Sequence, residues 1–213
     1  MGNLEMNYPY YYLFMKRNSF FVFLYICVIF FSSCEESDGI NNDLRANWKD
    51  RNLFYIDSIA DVAERNPASW KKILNYKLPP EGLGGNFYEN SDYVYINILE
   101  EGDKNGKYPL YTDSVDVYYK GSLIDKDVFD YNFMSDSDFD FRNPTRFAIG
   151  GDYGVIVGLS TALQRMRIGD RWMIYISENL GYGEQEKEKI PSYSTLIFEV
   201  VLDDIIHPRF VKD

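Results

Sequence analysis

Two residue types on which many enzymes depend are scarce in this 213-residue sequence. Its single histidine is His207, and its two cysteines, Cys27 and Cys34, both lie near the N-terminus. A Ser-His-Asp or Cys-His arrangement is therefore hard to assemble, and a zinc site would rest on carboxylates with at most one imidazole. Because both cysteines lie within or at the end of an apolar run, they support neither a disulfide framework nor a cysteine-based metal site. These scarcities argue against nucleophilic and metal-dependent hydrolysis, and we expect neither a metal nor a cofactor.

Positive charge is also in short supply. The chain has 22 Lys and Arg against 33 Asp and Glu, which gives a formal net charge of −11. A protein that binds the phosphate backbone of nucleic acid needs clustered cations, so we expect no nucleic-acid partner. Hydrophobic residues make up 46% of the chain and aromatic residues 17%, including 19 tyrosines. This content is enough for a sizeable core in one domain of ordinary size.

The N-terminal region has the pattern of an export signal. Lys16 and Arg17 precede an apolar run over residues 20–31, which has the length of a signal-peptide core and is short for a membrane span. Residues 31–34, FSSC, resemble a bacterial lipobox. The pattern predicts a signal peptide over residues 1–33, with Met15 as a candidate start, and lipidation of Cys34. The alternative is an uncleaved anchor helix.

This prediction has consequences for location. We expect an exported protein that is lipid-anchored to the bacterial cell envelope through Cys34, at the outer membrane. Residues 34–42 form an acidic tether, and the acidic run over residues 35–38 is typical both of surface-export signals and of a plain solvated linker.

The rest of the chain divides into a helical N-terminal extension over residues 43–90 and a second domain over residues 91–213. Apolar residues recur at helical spacing up to Glu64, and Pro67 could begin a second short helix. This extension is interpreted either as a docking or dimerisation helix or as a stalk that packs on the domain. The residues that carry the two helical patterns are Trp48, Tyr55, Ile59 and Val62, then Trp70, Ile73 and Leu74.

From Tyr93 onward, hydrophobic residues alternate with period two, which predicts half-buried strands. One helical pattern interrupts them, carried by Ile156, Leu159, Leu163 and Met166. The predicted fold is α+β: a curved antiparallel sheet of five or six strands with one helix packed across its concave face. The alternating segments begin at Tyr93, Ser114, Arg171 and Thr195.

Seven short motifs over residues 114–205 resemble, in order and spacing, those of FKBP-type peptidyl-prolyl cis/trans isomerases. Single motifs are weak signals, whereas seven in register are specific. They are VYYKG (117–121), VFD (128–130), FAIG (147–150), VIVGL (155–159), MRIGD (166–170), LGYG (180–183) and IPSYSTLIFEV (190–200).

The resemblance implies an apolar, aromatic cleft for a proline ring, and a reaction that needs no nucleophile or metal. Tyr182 and the backbone N–H of Ile156 would donate hydrogen bonds to substrate carbonyls, and Asp130 would lie at the cleft edge beside Tyr119. The implied catalytic residues are Tyr119, Phe129, Asp130, Ile156 and Tyr182, and the implied substrate-binding residues are Phe147, Val155, Leu159, Ile190 and Phe198.

Four features depart from the family pattern. Leu159 stands where many members have Trp, and Thr145 where a further cleft aromatic is often found. The loop from Glu184 to Lys189 is highly charged and is expected to shape which substrates enter. The acidic Asp136, Asp138 and Asp140 suggest calcium less well than a solvated loop, because the glycine and terminal glutamate of an EF-hand are missing.

Three functions remain open at this point. The first is an isomerase that assists the folding of exported proteins by acting on X–Pro segments, with macrolide inhibitors of the family as further ligands. The second is a catalytically weak binding or chaperone module with the same fold. The third is a surface lipoprotein that binds a glycan or another small ligand.

Overall fold

The computed structural model describes residues 45–82, 87–133 and 143–208, and its compact unit begins at Asn47. The predicted signal peptide over residues 1–33, the predicted tether over residues 34–42 with Cys34, and the acidic Asp136, Asp138 and Asp140 lie outside the described residues. None of the helices in the described ranges is long and apolar enough to cross a lipid bilayer. The elements, in chain order, are α1 (Trp48–Arg65), β1 (Trp70–Leu74), β2 (Tyr93–Glu100), β3 (Ser114–Ser122), β4 (Val128–Tyr131), β5 (Thr145–Ala148), α2 (Val157–Leu163), β6 (Arg171–Ile176) and β7 (Leu196–Ile206), with 3-10 helices at Asn90–Asp92 and Glu178–Leu180.

The strands form one antiparallel sheet in the order β1-β2-β6-β7-β3-β4. Strand β5 pairs with the first half of β3, and β4 pairs with its second half. The α+β fold with a curved antiparallel sheet is confirmed, and the described residues contain seven strands where five or six were expected. Besides β1, the strands without an alternation signal are β4 and β5, which have four residues each, too few for a period-two pattern to stand out.

The prediction of a second helix carrying Trp70, Ile73 and Leu74 is wrong. These residues belong to β1, an edge strand that pairs with β2 from Trp70 opposite Asn97 to Leu74 opposite Tyr93. A run of five residues fits both periods, so periodicity alone could not decide it. The open edge of β2 decides it, because its backbone groups need hydrogen-bond partners, and the Trp70 ring stacks on Tyr175 with centroids 5.4 Å apart.

Strand alternation divides the interior between the two faces of the sheet. On β2, Val94 and Ile96 are fully buried in the main core, into which α2 inserts Leu159 and Leu163. Tyr93 and Tyr95, the alternate residues of the same strand, pack with α1 in a second cluster. Helices α1 and α2 therefore pack on opposite faces of the sheet, and α1 is the N-terminal helix expected from the sequence.

Helix α2 lies unusually close to strand β6. A Cβ atom at Gly158 would overlap Cγ2 of Ile176, so no residue larger than glycine fits at this contact without displacing the helix or the strand. This contact sets the depth at which the beginning of α2 lies on the sheet.

Helix α1 is fastened to the domain by buried polar groups as well as by apolar contact. The Asn52 side chain is fully buried: its Oδ1 accepts a hydrogen bond from the Thr195 backbone N–H at 2.7 Å, and its Nδ2 donates to the Trp48 carbonyl at 2.7 Å. The Trp48 indole N–H donates to Ser194 Oγ at 3.0 Å. These bonds join the first turns of α1 to the segment that enters β7.

We expect Asn52→Ala to destabilise the domain strongly. The change leaves the buried Thr195 N–H without an acceptor, and an unpaired buried group costs roughly 1–3 kcal/mol. It also removes the second hydrogen bond to the Trp48 carbonyl, which keeps its bond within the helix. Urea unfolding followed by tryptophan fluorescence measures the change. Asn66→Ala, which removes an exposed side-chain bond to the Val62 carbonyl near the end of the same helix, should change the midpoint far less. Equal midpoints for the two variants would contradict the anchoring role of Asn52.

Candidate functional site

An open cleft of about 490 Å³ lies at the N-terminal end of α2, bounded by β3, β4, β5 and the segments between β6 and β7. The structure brings all ten cleft residues expected from the sequence together around it. Three further residues, from the charged loop before Ile190, complete the lining. The full set is Tyr119, Phe129, Asp130, Phe147, Val155, Ile156, Leu159, Tyr182, Lys187, Glu188, Lys189, Ile190 and Phe198.

The floor of the cleft is apolar. Leu159, in the first turn of α2, and Phe198, on β7, are both buried. Phe129 meets Phe198 edge to face, with centroids 5.5 Å apart. A Cβ atom at Gly121 would lie 2.5 Å from the Phe129 ring, so the glycine on β3 leaves room for this aromatic wall. The floor can therefore receive an apolar ring and offers it little water.

A second aromatic wall carries the cleft's carboxylate. The Tyr119 ring packs against Phe147, with centroids 5.0 Å apart, and its hydroxyl donates a hydrogen bond of 2.7 Å to Asp130 Oδ2. Burial, followed by this bond and by the charge of Asp130, raises the pKa of Tyr119 above its ordinary value. The hydroxyl therefore stays protonated at physiological pH and holds the Asp130 carboxylate in one orientation at the exposed edge of the cleft.

Asn132 fixes the backbone beneath this pair, and the sequence analysis did not identify it. Its Oδ1 accepts a hydrogen bond from the Tyr119 N–H at 2.7 Å, while its Nδ2 donates to the Val117 carbonyl at 2.9 Å and to Thr145 Oγ1 at 3.0 Å. Thr145 is thus a hydrogen-bond partner of Asn132 and does not line the cleft. An asparagine two residues after the VFD motif was the available signal, but its partners follow only from the pairing of β3 with β4 and β5.

Tyr182 is presented by a tight turn. It follows the 3-10 helix Glu178–Leu180 and precedes Gly183, whose φ of +60° favours glycine and whose N–H donates to the Glu178 carbonyl at 2.9 Å. The ring is half-buried at the cleft, and burial, then the charge of Asp130, raises the pKa of its hydroxyl. Tyr182 therefore remains a hydrogen-bond donor well into the alkaline range.

Two donors at the cleft are unengaged. Within residues 45–82, 87–133 and 143–208, no group accepts a hydrogen bond from the Tyr182 hydroxyl or from the backbone N–H of Ile156. Ile156 lies immediately before α2 and is half-buried. Both donors are thus available to carbonyl oxygens of a bound chain.

The three lining residues that the sequence analysis did not assign to the cleft come from the loop expected to shape substrate entry. Lys187 and Ile190 exchange backbone hydrogen bonds of 2.9 and 3.1 Å, which turns the loop over the cleft. The Lys187 ammonium lies 5.4 Å from the centroid of the Tyr182 ring. Lys187, Glu188 and Lys189 therefore form a charged rim around an apolar floor.

Comparisons with known proteins agree with this arrangement. Residues 106–203 match the family model described as FKBP-type peptidyl-prolyl cis-trans isomerase. The chain is 38% identical over 162 residues to the FKBP-type 22 kDa peptidyl-prolyl cis-trans isomerase of Escherichia coli (strain K12). This alignment covers 73% of this chain and 71% of the relative. It is 40% identical over 194 residues to a protein of Trypanosoma cruzi named macrophage infectivity potentiator, covering 90% of this chain and 87% of the relative.

Among solved structures, a peptidyl-prolyl cis-trans isomerase from Pseudomonas syringae pv. tomato superposes with a TM-score of 0.53 at 21% identity. The superposition covers 75% of this chain and 96% of the other, and it supports the fold. The family model and the relatives confirm the family and the isomerase class expected from the seven motifs. This chain belongs to the FKBP-type peptidyl-prolyl cis-trans isomerases.

Proposed function

We propose that the cleft binds the proline ring of an X–Pro segment in an exported protein and catalyses rotation about the preceding peptide bond, which assists the folding of that protein. The observation that carries the proposal is an apolar floor beneath two unengaged hydrogen-bond donors. A proline ring fits the floor, and the carbonyl groups of the same chain fit the donors.

The barrier to this rotation is about 18–20 kcal/mol, because rotation breaks the resonance of the amide. The twisted amide is less polar than the planar one, so it loses less hydration free energy when it moves from water into the cleft. An apolar floor formed by Leu159 and Phe198, beside the Phe129 wall, thus favours the transition state over the ground state, which is what catalysis requires. Substrate-binding roles fall to Phe147, Val155, Leu159, Ile190 and Phe198.

The polar groups orient the substrate. The Tyr182 hydroxyl and the Ile156 N–H donate to substrate carbonyls on either side of the rotating bond. Asp130, held by Tyr119, lies at the edge of the cleft, where its charge acts on the twisting amide. We assign catalytic roles to these four residues and to Phe129, whose ring forms the wall beside Asp130.

Inhibitor sensitivity belongs to the same cleft. Macrolide inhibitors of the family would occupy the floor in place of the proline ring. Leu159 offers them a smaller contact surface than the Trp of many members, so we propose that they bind this chain more weakly.

We also propose that the chain is exported and anchored to the cell envelope by lipid attached to Cys34, with the acidic residues 34–42 as the tether between membrane and enzyme. The support is the order of Lys16, Arg17, the apolar residues 20–31 and the FSSC motif. Catalysis of X–Pro rotation is useful there because uncatalysed exchange takes tens to hundreds of seconds.

Removing one hydroxyl tests the donor role of Tyr182. We expect Tyr182→Phe to lower kcat/KM for a short X–Pro peptide about tenfold, which corresponds to about 1.4 kcal/mol of transition-state stabilisation. NMR exchange spectroscopy of the peptide measures the rate. Tyr193→Phe, which removes an exposed hydroxyl bonded to Glu184, is the matched control and should retain full activity. If the folded wild-type chain does not accelerate exchange, the isomerase proposal is excluded and the hypothesis of a catalytically weak binding module remains.

A double-mutant cycle tests the Tyr119–Asp130 pair. Because the Tyr119 hydroxyl acts by holding Asp130 at 2.7 Å, we expect Tyr119→Phe and Asp130→Asn each to lower kcat/KM several-fold, and the double variant to lose little more than the worse single variant. Fully additive losses, measured with the same peptide, would mean that the two residues act independently.

Lipidation is tested in cells by metabolic labelling with a fatty-acid analogue. We expect the wild-type chain to incorporate the label and Cys34→Ser to incorporate none, because the acyl group is attached to the Cys34 thiol. Cys27→Ser is the matched control, since it removes the other cysteine within the apolar run. Labelling of Cys34→Ser at the wild-type level would contradict the assignment.

A further inference from the structure

A second cavity, of about 140 Å³, lies beyond the C-terminal end of α2, at the opposite end of that helix from the isomerase cleft. Its walls come from β1, the loop between β2 and β3, and the turn between α2 and β6. The lining residues that matter are Lys71, Glu101, Lys104, Arg165, Arg167 and Trp172.

The cavity is positively charged in a strongly acidic chain. Four cationic side chains line it against two carboxylates, Glu101 and Asp170. Asp170 is committed to the backbone: its Oδ1 accepts the Gly102 N–H at 2.8 Å and its Oδ2 accepts the Arg167 N–H at 2.7 Å. Glu101 pairs with Lys104 at 2.8 Å. The carboxylates of the cavity are therefore already occupied.

The other three cations, Lys71, Arg165 and Arg167, form no ion pair with a carboxylate of the described residues. Two of them rest on aromatic rings instead: the Lys71 ammonium lies 4.8 Å from the Trp172 ring centroid, and the Arg167 guanidinium lies 4.6 Å from the Tyr108 ring centroid. These contacts hold the cations around the cavity without neutralising them.

Two buried donors in the same walls lack an acceptor. Trp172 is 1% exposed, and its Nε1 makes no hydrogen bond with any part of the chain that the structure describes; the same holds for Nε of Arg167. A buried donor left unpaired costs roughly 1–3 kcal/mol, so such groups in a native fold call for an explanation. An oxygen-rich anion in the cavity would supply acceptors.

We propose that this cavity is a binding site for a phosphate group. Its excess of two positive charges matches phosphate or a phosphomonoester, which carries about −1.5 to −2 at pH 7, better than a carboxylate with a single charge. Its volume equals that of about five water molecules at ~30 Å³ each, enough for one phosphate group. Arginine presents a planar set of donors suited to phosphate oxygens, and Arg167 is oriented by the Tyr108 ring.

The test uses the full chain in a non-ionic detergent, labelled with 5-fluorotryptophan. The chain has three tryptophans, so three ¹⁹F resonances are expected, and a Trp172→Phe sample assigns the one in the cavity. Titration with inorganic phosphate at constant ionic strength should shift the Trp172 resonance saturably in the millimolar range or below. Potassium chloride at the same ionic strength should not, because screening alone produces no saturable site.

Variants locate the site. Arg167→Gln should weaken phosphate binding roughly tenfold or more, since it removes a charged donor, and Lys71→Gln should weaken it to a lesser degree. Lys126→Gln, which removes an exposed lysine in the turn between β3 and β4, is the matched control and should bind like the wild type. X–Pro exchange should stay unchanged in all three, because none of these residues lines the isomerase cleft. Retained activity also shows that a variant is folded.

Two soluble probes identify the source of the phosphate. Glycerol 3-phosphate carries a monoester and glycerophosphoglycerol carries the diester of a lipid headgroup. Tighter binding of the monoester assigns the site to free phosphate compounds, and tighter binding of the diester assigns it to a membrane surface. The proposal is overturned if no probe shifts the Trp172 resonance saturably, or if Arg167→Gln, with full isomerase activity, binds them as tightly as the wild type.

Discussion

The contact between Gly158 and Ile176 sets the geometry on which the rest of the molecule depends. It allows α2, a helix of seven residues and roughly 10 Å, to lie directly against the sheet. At that depth Leu159 reaches the cleft floor, and the Ile156 N–H, which precedes the helix, faces the cleft rather than another backbone group. Packing in the core is dense, so a helix displaced outward by a side chain at residue 158 would carry both groups with it.

The cleft has few polar groups, and most of them are used within the protein. Asn132 accepts a hydrogen bond from the Tyr119 backbone N–H and donates one to the Thr145 hydroxyl. The Tyr119 hydroxyl donates to Asp130. Below the charged rim of Lys187, Glu188 and Lys189, the groups that remain for a substrate are the Ile156 N–H and the Tyr182 hydroxyl, beside apolar walls. Such a site can bind and desolvate an amide.

The N-terminal extension is part of this structure and covers surfaces that the sheet would otherwise expose. Strand β1 occupies the edge of β2, and α1 covers the tyrosines on the face opposite α2. Because β1 also carries Lys71, the strand that protects the edge supplies one wall of the positively charged cavity. The two ends of α2 thus border two cavities of different character, one apolar and the other cationic.

Several parts of the protein follow from local sequence alone. Period-two alternation identified β2, β3, β6 and β7, because one face of each strand is buried and the other is not. The ten cleft residues came instead from the resemblance of ordered motifs to the FKBP-type family, which implied their roles. Local sequence could not identify β1 as a strand, because five residues fit either period and its partner β2 settles the matter.

The tertiary structure alone decided the rest. Folding brings together side chains from distant parts of the chain at three places. These are the hydrogen bonds of Asn132, the rim formed by Lys187 and Lys189, and the cavity lined by Lys71, Arg167 and Trp172. The role of each side chain depends on which hydrogen-bond and ion-pair partners it has after folding. Those partners are set by the packing of the whole molecule. A sequence specifies which groups are present, whereas only folding decides which of them remain unpaired and therefore available to a ligand.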